Sequence, residues 1–252
     1  MIQTVNTTRY VTPLREGGSL PAIIEADDKN LYVMKFRGAG QGVKALIAEL
    51  IGGEIARYLG FNVPKIVFAE LDESFGRIEG DEEIQDLLKA STGLNLAATY
   101  LKEAITFDPI INKVDALLAS KIVWLDSFLL NVDRTPRNTN MLMWKGDLWL
   151  IDHGASLIFH HNWANGWEGA RPFALIKRHV LVSQAKKLDE ANELFKSKLS
   201  KKIFEDIVAL IPDQWLNLDK AFASIDDNRN AYIDFLTSRL GYSDEFVKEA
   251  QS

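Results

Sequence analysis

The sequence predicts a two-part α+β fold, with strands concentrated in residues 1–101 and helices in residues 102–252. In the first part, short apolar runs alternate with turn-forming Gly, Asp and Asn residues, and one long helical pattern interrupts them. Past Asp108-Pro109, apolar residues instead recur at helical spacing. A chain of 252 residues is long enough for one domain in which two such parts share a cleft.

Composition is typical of a globular protein and excludes several kinds of site. Hydrophobic residues make up 47% and charged residues 25% of the chain. There is no cysteine, which excludes disulfides, thiolate metal sites and a cysteine nucleophile. The net charge of −6 argues against a nucleic-acid-binding surface, so no nucleic-acid partner is expected. No apolar run approaches the length of a membrane span and no export signal is recognisable, so we expect a cytoplasmic protein.

The first part is predicted to hold strands, one long helix and one short helix. The predicted strands cover residues 9–14, 21–26, 31–36, 65–71 and 94–101. The long helix, Val43 to Leu59, is apolar on nearly all sides and ends at Gly60, and the short helix covers residues 81–90. Gly17-Gly18 predicts either a plain hairpin turn or a turn whose N–H groups approach an anion.

Lys35 and Glu49 are predicted to form an ion pair. Lys35 interrupts an apolar strand, and Glu49 lies on a helix face whose small residues, including Gly52 and Gly53, let the helix approach the sheet. Since an unpaired buried carboxylate costs several kcal/mol, Glu49 needs a cation, and Lys35 is the natural candidate. The alternative is a surface glutamate near an edge-strand lysine.

The second part begins with a helical pattern over residues 112–131, which leads into a polar loop around Pro136. Lys121 and Asp126 fall outside the apolar stripe of this helix and are expected to face solvent. A hairpin follows, in which two apolar runs, Met141–Trp144 and residues 148–151, flank a turn centred on Gly146. Further helices are predicted over residues 188–199, 201–211 and 229–240.

The hairpin is predicted to bring polar side chains together. The turn centred on Gly146 sets Asn140 opposite Asp152, and Asn138 lies two residues further along the same face. Asp133 follows the preceding helix. Two Asp residues and an Asn suit a hard cation that carries phosphates, with one carboxylate left to meet a hydroxyl. Taken singly, each of these residues is more typical of a turn.

The run D-R-T-P-R-N at residues 133–138, followed by I-D-H-G at residues 151–154, resembles the catalytic loop and metal-binding Asp-x-Gly of HipA-like kinases. The loop is also similar to that of phosphoinositide kinases, which is written Asp-Arg-x-x-x-Asn. The resemblance implies a single kinase-like domain over residues 1–252 with a two-lobed protein-kinase-like α+β fold. Residues 1–101 would form an N-lobe of a small antiparallel sheet plus a helix, and residues 102–252 a mainly helical C-lobe.

The resemblance also implies ATP and Mg²⁺ as cofactors and a role for each site residue. Asp133 looks like the catalytic Asp, and Asn138 and Asp152 look like the metal ligands. Lys35 resembles the lysine that holds the phosphates, and Glu49 the residue that orients this lysine.

Other positions complete the implied nucleotide site. Gly17 and Gly18 would cover the phosphates, and the backbone of Tyr100, Leu101 and Lys102 would form the hinge that binds adenine. Asn140 is either an extra ligand or a hairpin cap.

Residues 159–173 would correspond to an activation or substrate-recognition loop. Three of its side chains would face substrate: Trp163, Trp167 and Arg171. His160 and His161 are adjacent and no carboxylate follows at a metal-binding spacing, so packing or surface roles are expected for them.

The expected activity is Mg-ATP-dependent phosphorylation of protein Ser/Thr hydroxyls, with Ser19 an autophosphorylation candidate by location alone. Arg134 keeps a lipid or small-molecule kinase open, because HipA itself has a different residue pair there. A nucleotide-binding pseudokinase and a purely structural interaction protein are further alternatives. HipA proteins proper carry an extra N-terminal subdomain and often work beside a DNA-binding antitoxin, so the resemblance does not extend to a toxin role or to that partner. The sequence does not identify the acceptor.

Overall fold

A computed structural model of the chain describes residues 1–14, 20–78, 80–166, 169–170 and 172–252. The strands are β1 (Thr4–Pro13), β2 (Ala22–Ala26), β3 (Leu31–Lys35), β4 (Ile66–Leu71), β5 (Gly93–Thr99), β6 (Ile105–Thr106), β7 (Met141–Trp144) and β8 (Asp147–Leu150). The α-helices are α1 (Val43–Leu59), α2 (Phe75–Ile78), α3 (Glu82–Ala90), α4 (Ala116–Leu129), α5 (Leu188–Lys198), α6 (Lys201–Val208), α7 (Asp213–Leu216), α8 (Ile225–Gly241) and α9 (Ser243–Gln251). Short 3₁₀ turns lie between β8 and α5.

Strands β1 to β5 form a closed barrel, which corrects the prediction of a small antiparallel sheet. The strand order is β1-β2-β3-β5-β4, and every pair is antiparallel except β1 with β4, which is parallel. The sequence prediction began β1 at residue 9, but residues 4–6 also belong to the strand and pair with residues 68–70. This pairing closes the barrel and removes the open edges that a sheet would present.

The alternation of side chains along β3 decides where Lys35 points. Tyr32 and Met34 are buried in the barrel core, whereas Leu31, Val33 and Lys35 are half-buried. Since successive side chains of a strand point to opposite faces, Lys35 lies outside the barrel interior. From that face it reaches Glu49 on α1.

Helix α1 lies between the barrel and the other helices. It is buried on several sides, as its all-round apolar pattern predicted, and it ends at Gly60 in the left-handed conformation with φ 95°. One hydrophobic core cluster extends from α1 and β4 into α4, α5, α6 and α8, and a second fills the barrel. The first cluster holds residues of α1, β4 and the other helices together, so α1 packs between them.

Helix α4 runs through the larger core. It begins at Ala116 because Asp115 caps it, its side chain accepting from the N–H groups of Leu117 and Leu118. Asp126 is fully buried in this helix, so the expectation that it faces solvent was wrong, and Lys121 is half-buried. Buried cationic and polar partners, described below, make the burial of this carboxylate possible.

Strands β7 and β8 form the predicted hairpin in a different register. Met141 pairs with Leu150, and Trp144 with Asp147. The two turn residues, Lys145 and Gly146, have φ of 52° and 90°, the conformation that suits a two-residue hairpin loop. The Ile151 N–H donates to the Asn140 carbonyl at 3.1 Å. Asn140 thus lies opposite Ile151, and the prediction that it lies opposite Asp152 was wrong.

The remaining predicted elements are present with shifted ends. β5 ends at Thr99, and α8 begins at Ile225 rather than at residue 229. The sequence analysis did not predict α2, β6, α7 or α9. Within the described residues, no helix has the length and apolarity needed to cross a membrane.

Candidate active site

The Lys35 ammonium lies between two carboxylates. Its Nζ is 2.6 Å from Glu49 Oε2 and 2.6 Å from Asp152 Oδ1. The strand β3, the helix α1 and the segment after β8 each contribute one of these side chains. The Asp152 side chain is 41% exposed and that of Glu49 only 11%, so Asp152 is the carboxylate that a ligand can reach.

The pKa values of these groups follow from burial and from each other's charge. Burial by itself lowers the pKa of Lys35. The negative charges of Glu49 and Asp152 have a larger, opposite effect, so the pKa lies above its ordinary value. Burial raises the pKa of the Glu49 carboxyl, against the opposing effect of Lys35. The charge of Lys35 lowers the pKa of Asp152. Lys35 and Asp152 are therefore both charged at neutral pH.

A second polar group surrounds Asp133. Its Oδ2 accepts from the amide Nδ2 of Asn138 at 2.8 Å and of Asn140 at 3.1 Å. Its Oδ1 has no hydrogen-bond partner among the described residues, which leaves this atom able to accept from a hydroxyl. Thr135 and Asn138 bond to each other through their backbones at 2.9 and 3.1 Å, and this pairing keeps the loop tight.

The residues at the ends of the hairpin link the two groups. Asn140, which donates to Asp133, pairs with Ile151, and Ile151 immediately precedes Asp152. Because the Nδ2 of Asn138 donates to Asp133, its amide oxygen remains available as a ligand. Across the described part of the chain, no three His, Cys, Asp or Glu side chains cluster as a metal site.

A family model of HipA-like kinases matches residues 8–249. This chain belongs to the HipA-like kinase family. Its fold is similar to the crystal structure of a Helicobacter pylori proinflammatory kinase, CtkA, with a TM-score of 0.56 and 10% identity over 99% of this chain and 96% of that chain. A structure of Golgi casein kinase has a TM-score of 0.49 and 12% identity, over 100% of this chain and 72% of that chain. A second structure of Golgi casein kinase, with Mn/ADP bound, has a TM-score of 0.49 and 11% identity, over 98% of this chain and 73% of that chain. No curated protein sequence matches.

Family membership supports a kinase-type phosphotransferase, and the likeness to CtkA shows a shared fold. The structure of this HipA-like kinase brings together the side chains of Lys35, Glu49 and Asp152, and separately those of Asp133 and Asn138. Gly17, Gly18 and Ser19 lie outside the described residues, as do Trp167 and Arg171.

The predicted hinge of this HipA-like kinase lies just after β5. The Tyr100 N–H donates to the Leu31 carbonyl at 3.0 Å, and the Leu101 carbonyl accepts from the Ala104 N–H at 3.1 Å. The Lys102 carbonyl accepts from the indole of Trp144 at 2.9 Å. In contrast, none of the hydrogen bonds among the described residues engages the Leu101 N–H.

Trp163 does not face a substrate, which corrects the expectation for this side chain. It is buried, its indole donates to Asp219 at 2.8 Å, and its ring packs edge-on against Phe159 and Tyr232. Packing in the core therefore accounts for this aromatic residue.

Sequence reasoning also missed His179, which is buried 2.8 Å from the Asp126 carboxylate. Asp126 could have been placed in the core, because apolar residues surround it on a long helix. His179 follows a short 3₁₀ turn, where no periodic pattern indicates burial.

The approach of α1 to the Asp-x-Gly segment requires a glycine at position 52. A Cβ added there would lie 2.7 Å from the Cβ of His153. A Cβ added at Gly53 would lie 2.6 Å from the terminal methyl group of Ile66, which can rotate away. Substitutions of these two adjacent glycines thus form a matched pair, in which only the change at position 52 meets the segment after β8.

We expect Gly52→Ala to destabilise the protein by about 1–3 kcal/mol, because α1 or the Asp152 segment must shift. Gly53→Ala should change stability by less than about 1 kcal/mol, since the greater helix propensity of Ala offsets a small rearrangement. Urea unfolding of both variants measures the difference. Equal losses would show that the contact with His153 is not limiting.

His160 is a buried histidine whose Nδ1 lies 3.1 Å from the Tyr232 hydroxyl, whereas His161 is exposed, so the expected packing and surface roles are confirmed. Burial lowers the pKa of His160 well below its ordinary value of 6.5. Below pH 6.5 the unfolded chain therefore binds a proton that the folded protein does not. The stability that this histidine contributes is complete above that pH and is lost as the pH falls.

We expect the free energy of unfolding to depend less on pH below about 6.5 in His160→Gln, by up to about 1.4 kcal/mol per pH unit. Gln keeps a polar partner for Tyr232 but does not titrate. Urea unfolding of wild type and His160→Gln between pH 7 and pH 4.5 gives the two slopes. A slope identical to wild type would show that His160 does not titrate differently on folding.

Proposed function

We propose that this chain is a Mg-ATP-dependent kinase that transfers the γ-phosphoryl group to a Ser or Thr hydroxyl of a protein. Residues 1–101 and 102–252 would be its two lobes, with the nucleotide between them. The observation that carries the proposal is Lys35 Nζ lying 2.6 Å from both Glu49 and Asp152. Kinases use a strand lysine, a helix glutamate and an Asp-x-Gly aspartate to hold and neutralise nucleotide phosphates.

The nucleotide would be held at three places. Lys35 would contact the phosphates, and Glu49 would keep its ammonium in place. The unengaged N–H of Leu101 would donate to the adenine edge. Gly17 and Gly18 would cover the phosphates with backbone N–H groups.

The donor set fits Mg²⁺. This ion takes few protein oxygens and completes its coordination with phosphate oxygens and water. Asn138 and Asp152 would hold it through one amide oxygen and one ionised carboxylate. Bound there, the ion supplies neutralisation of the phosphate charge.

Asp133 would accept the proton of the acceptor hydroxyl. Asn138 and Asn140 hold one of its oxygens, which orients the other toward the acceptor. The hydroxyl oxygen bonds to the γ-phosphorus, the bond from that phosphorus to the bridging oxygen of ADP breaks, and the proton moves to Asp133. Most of the acceleration would come from positioning and charge neutralisation.

Two other functions use the same residues. A lipid or small-molecule kinase was suggested by Arg134, but this side chain is buried and does not present its charge to an acceptor. A pseudokinase would bind nucleotide without transfer. We disfavour it because Lys35, Asp152 and Asp133, the residues that we propose to hold phosphate, bind metal and accept a proton, are all present.

Incubation with γ-labelled ATP and a host lysate tests the proposal. We expect label in a protein fraction or in the chain itself, loss of labelling with EDTA, and recovery on adding Mg²⁺. Label confined to a lipid or metabolite fraction would favour the second function. Stabilisation by Mg-ATP in a thermal shift assay, without transfer to any fraction, would favour the pseudokinase.

A further inference from the structure

Arg134, the residue next to Asp133, is buried and bonded at several points. Its side chain has no exposed surface. Its Nε donates to Asp126 Oδ2 at 2.6 Å, and its Nη1 donates to the carbonyls of Asn140 and, at 3.4 Å, Ile151. The guanidinium thus joins helix α4 to both sides of the hairpin base.

The two carbonyls belong to residues next to the candidate catalytic groups. Asn140 donates to Asp133, and Ile151 precedes Asp152. Asn140 and Asp152 both have left-handed backbones, with φ of 47° and 55°. Asn and Asp adopt this conformation more readily than other non-glycine residues, so both residue types suit these positions. Arg134 bonds from within the protein to the carbonyls of Asn140 and of Ile151, the residue before Asp152.

Asp126 anchors the guanidinium. Burial acts to raise the pKa of this carboxyl, but Arg134 and His179 hold it well below its usual range. Its other oxygen accepts from Asn131 Nδ2 at 2.9 Å, and Asn131 in turn accepts from the Asp133 N–H at 3.1 Å. The Asp126 carboxylate therefore holds the catalytic loop both through Arg134 and through Asn131.

The segment around His179 completes the network. His179 Nδ1 accepts from the Leu181 N–H at 3.0 Å, which leaves Nε2 as the protonated nitrogen that donates to Asp126 at 2.8 Å. The Val180 N–H donates to the Arg134 carbonyl at 3.1 Å. Arg134 is thus held by its backbone as well as by its guanidinium.

We propose that Arg134 is a positioning residue that fixes Asp133 relative to Asp152, with Asp126 and His179 as its supports. This proposal rests on the proposed kinase function and assigns Arg134 to geometry instead of acceptor recognition. A planar guanidinium reaches one carboxylate and two carbonyls at once, whereas the single ammonium of a lysine cannot reproduce that arrangement.

Arg134→Lys separates charge from geometry, because it keeps the positive charge beside Asp126. We expect kcat to fall by about tenfold to 10²-fold, since small misplacements of reacting groups have effects of that size. We also expect a higher Mg²⁺ concentration for half-maximal binding of a fluorescent ATP analogue. A second variant, Arg134→Met with Asp126→Asn, removes both charges and should keep the low kcat even where its Tm is close to wild type.

Asn192→Leu is the matched control, because Asn192 is buried and bonded to Trp124 and Asp244 in a different part of the helical core. It should lower Tm without changing kcat or the Mg²⁺ requirement. Wild-type kcat and Mg²⁺ requirement in Arg134→Lys would overturn the proposal. If wild type binds Mg-nucleotide but transfers no phosphate, the proposed function fails, and the Mg²⁺ titration still decides the role of Arg134. If wild type binds no nucleotide, both fail together.

Discussion

Asp133→Asn is expected to lower the rate of phosphoryl transfer by about 10²–10⁴-fold while nucleotide binding is retained. An amide cannot take the proton of the acceptor hydroxyl. The substitution keeps the size of the side chain, and its amide oxygen can still accept from Asn138 or Asn140. The change therefore acts on chemistry more than on folding.

Single-turnover transfer from labelled ATP measures this effect, and a fluorescent ATP analogue measures binding. Asp147→Asn is a suitable control, because Asp147 is exposed at the hairpin turn and the substitution removes the same charge. A variant with at least half of the wild-type rate would show that Asp133 is not the proton acceptor. Loss of nucleotide binding would show instead that Asp133 acts in the nucleotide site.

Lys35→Met is expected to lower kcat/KM by at least about 10²-fold, the usual effect of removing one positioned donor to a developing charge. It should also destabilise the protein by about 3–5 kcal/mol, because Glu49 is left as a buried carboxylate without its cation. Met fills a similar volume, so the loss reports on charge and not on a cavity.

The double variant, Lys35→Met with Glu49→Gln, separates the two effects. Without the buried negative charge, most of the lost stability should return, while kcat/KM should stay low. Urea unfolding and steady-state transfer assays measure the two quantities on the same samples. Recovery of activity along with stability would mean that Lys35 acts only as a structural partner of Glu49.

Local patterns predicted much of the fold. The alternation in β3 placed Lys35 and the tight face of α1 placed Glu49, and the structure brings these side chains within 2.6 Å. The prediction failed where contacts between segments that are distant in the sequence determine whether a residue is buried. Asp126 was expected in solvent because a helical stripe shows only which residues share a face, not what packs against the other faces.

The hairpin register shows a second limit. The sequence indicated two strands around Lys145-Gly146-Asp147, but the two-residue turn with positive φ at Lys145 shifted the pairing by one position. Such a shift changes which side chains face each other. Even so, Asn138 and Asn140 both donate to Asp133, and Asn140 pairs with Ile151, the residue before Asp152.

The sequence by itself determined the order and identity of the candidate groups and the secondary structure that carries most of them. These depend on residues within one helix turn or one strand, where neighbouring side chains fix the pattern. Only the tertiary structure decided that residues 4–6 close a barrel with residues 68–70 and that Arg134 is buried against Asp126. Both features depend on packing between elements that are distant in the sequence. No short stretch of the sequence contains the pattern that would predict those contacts.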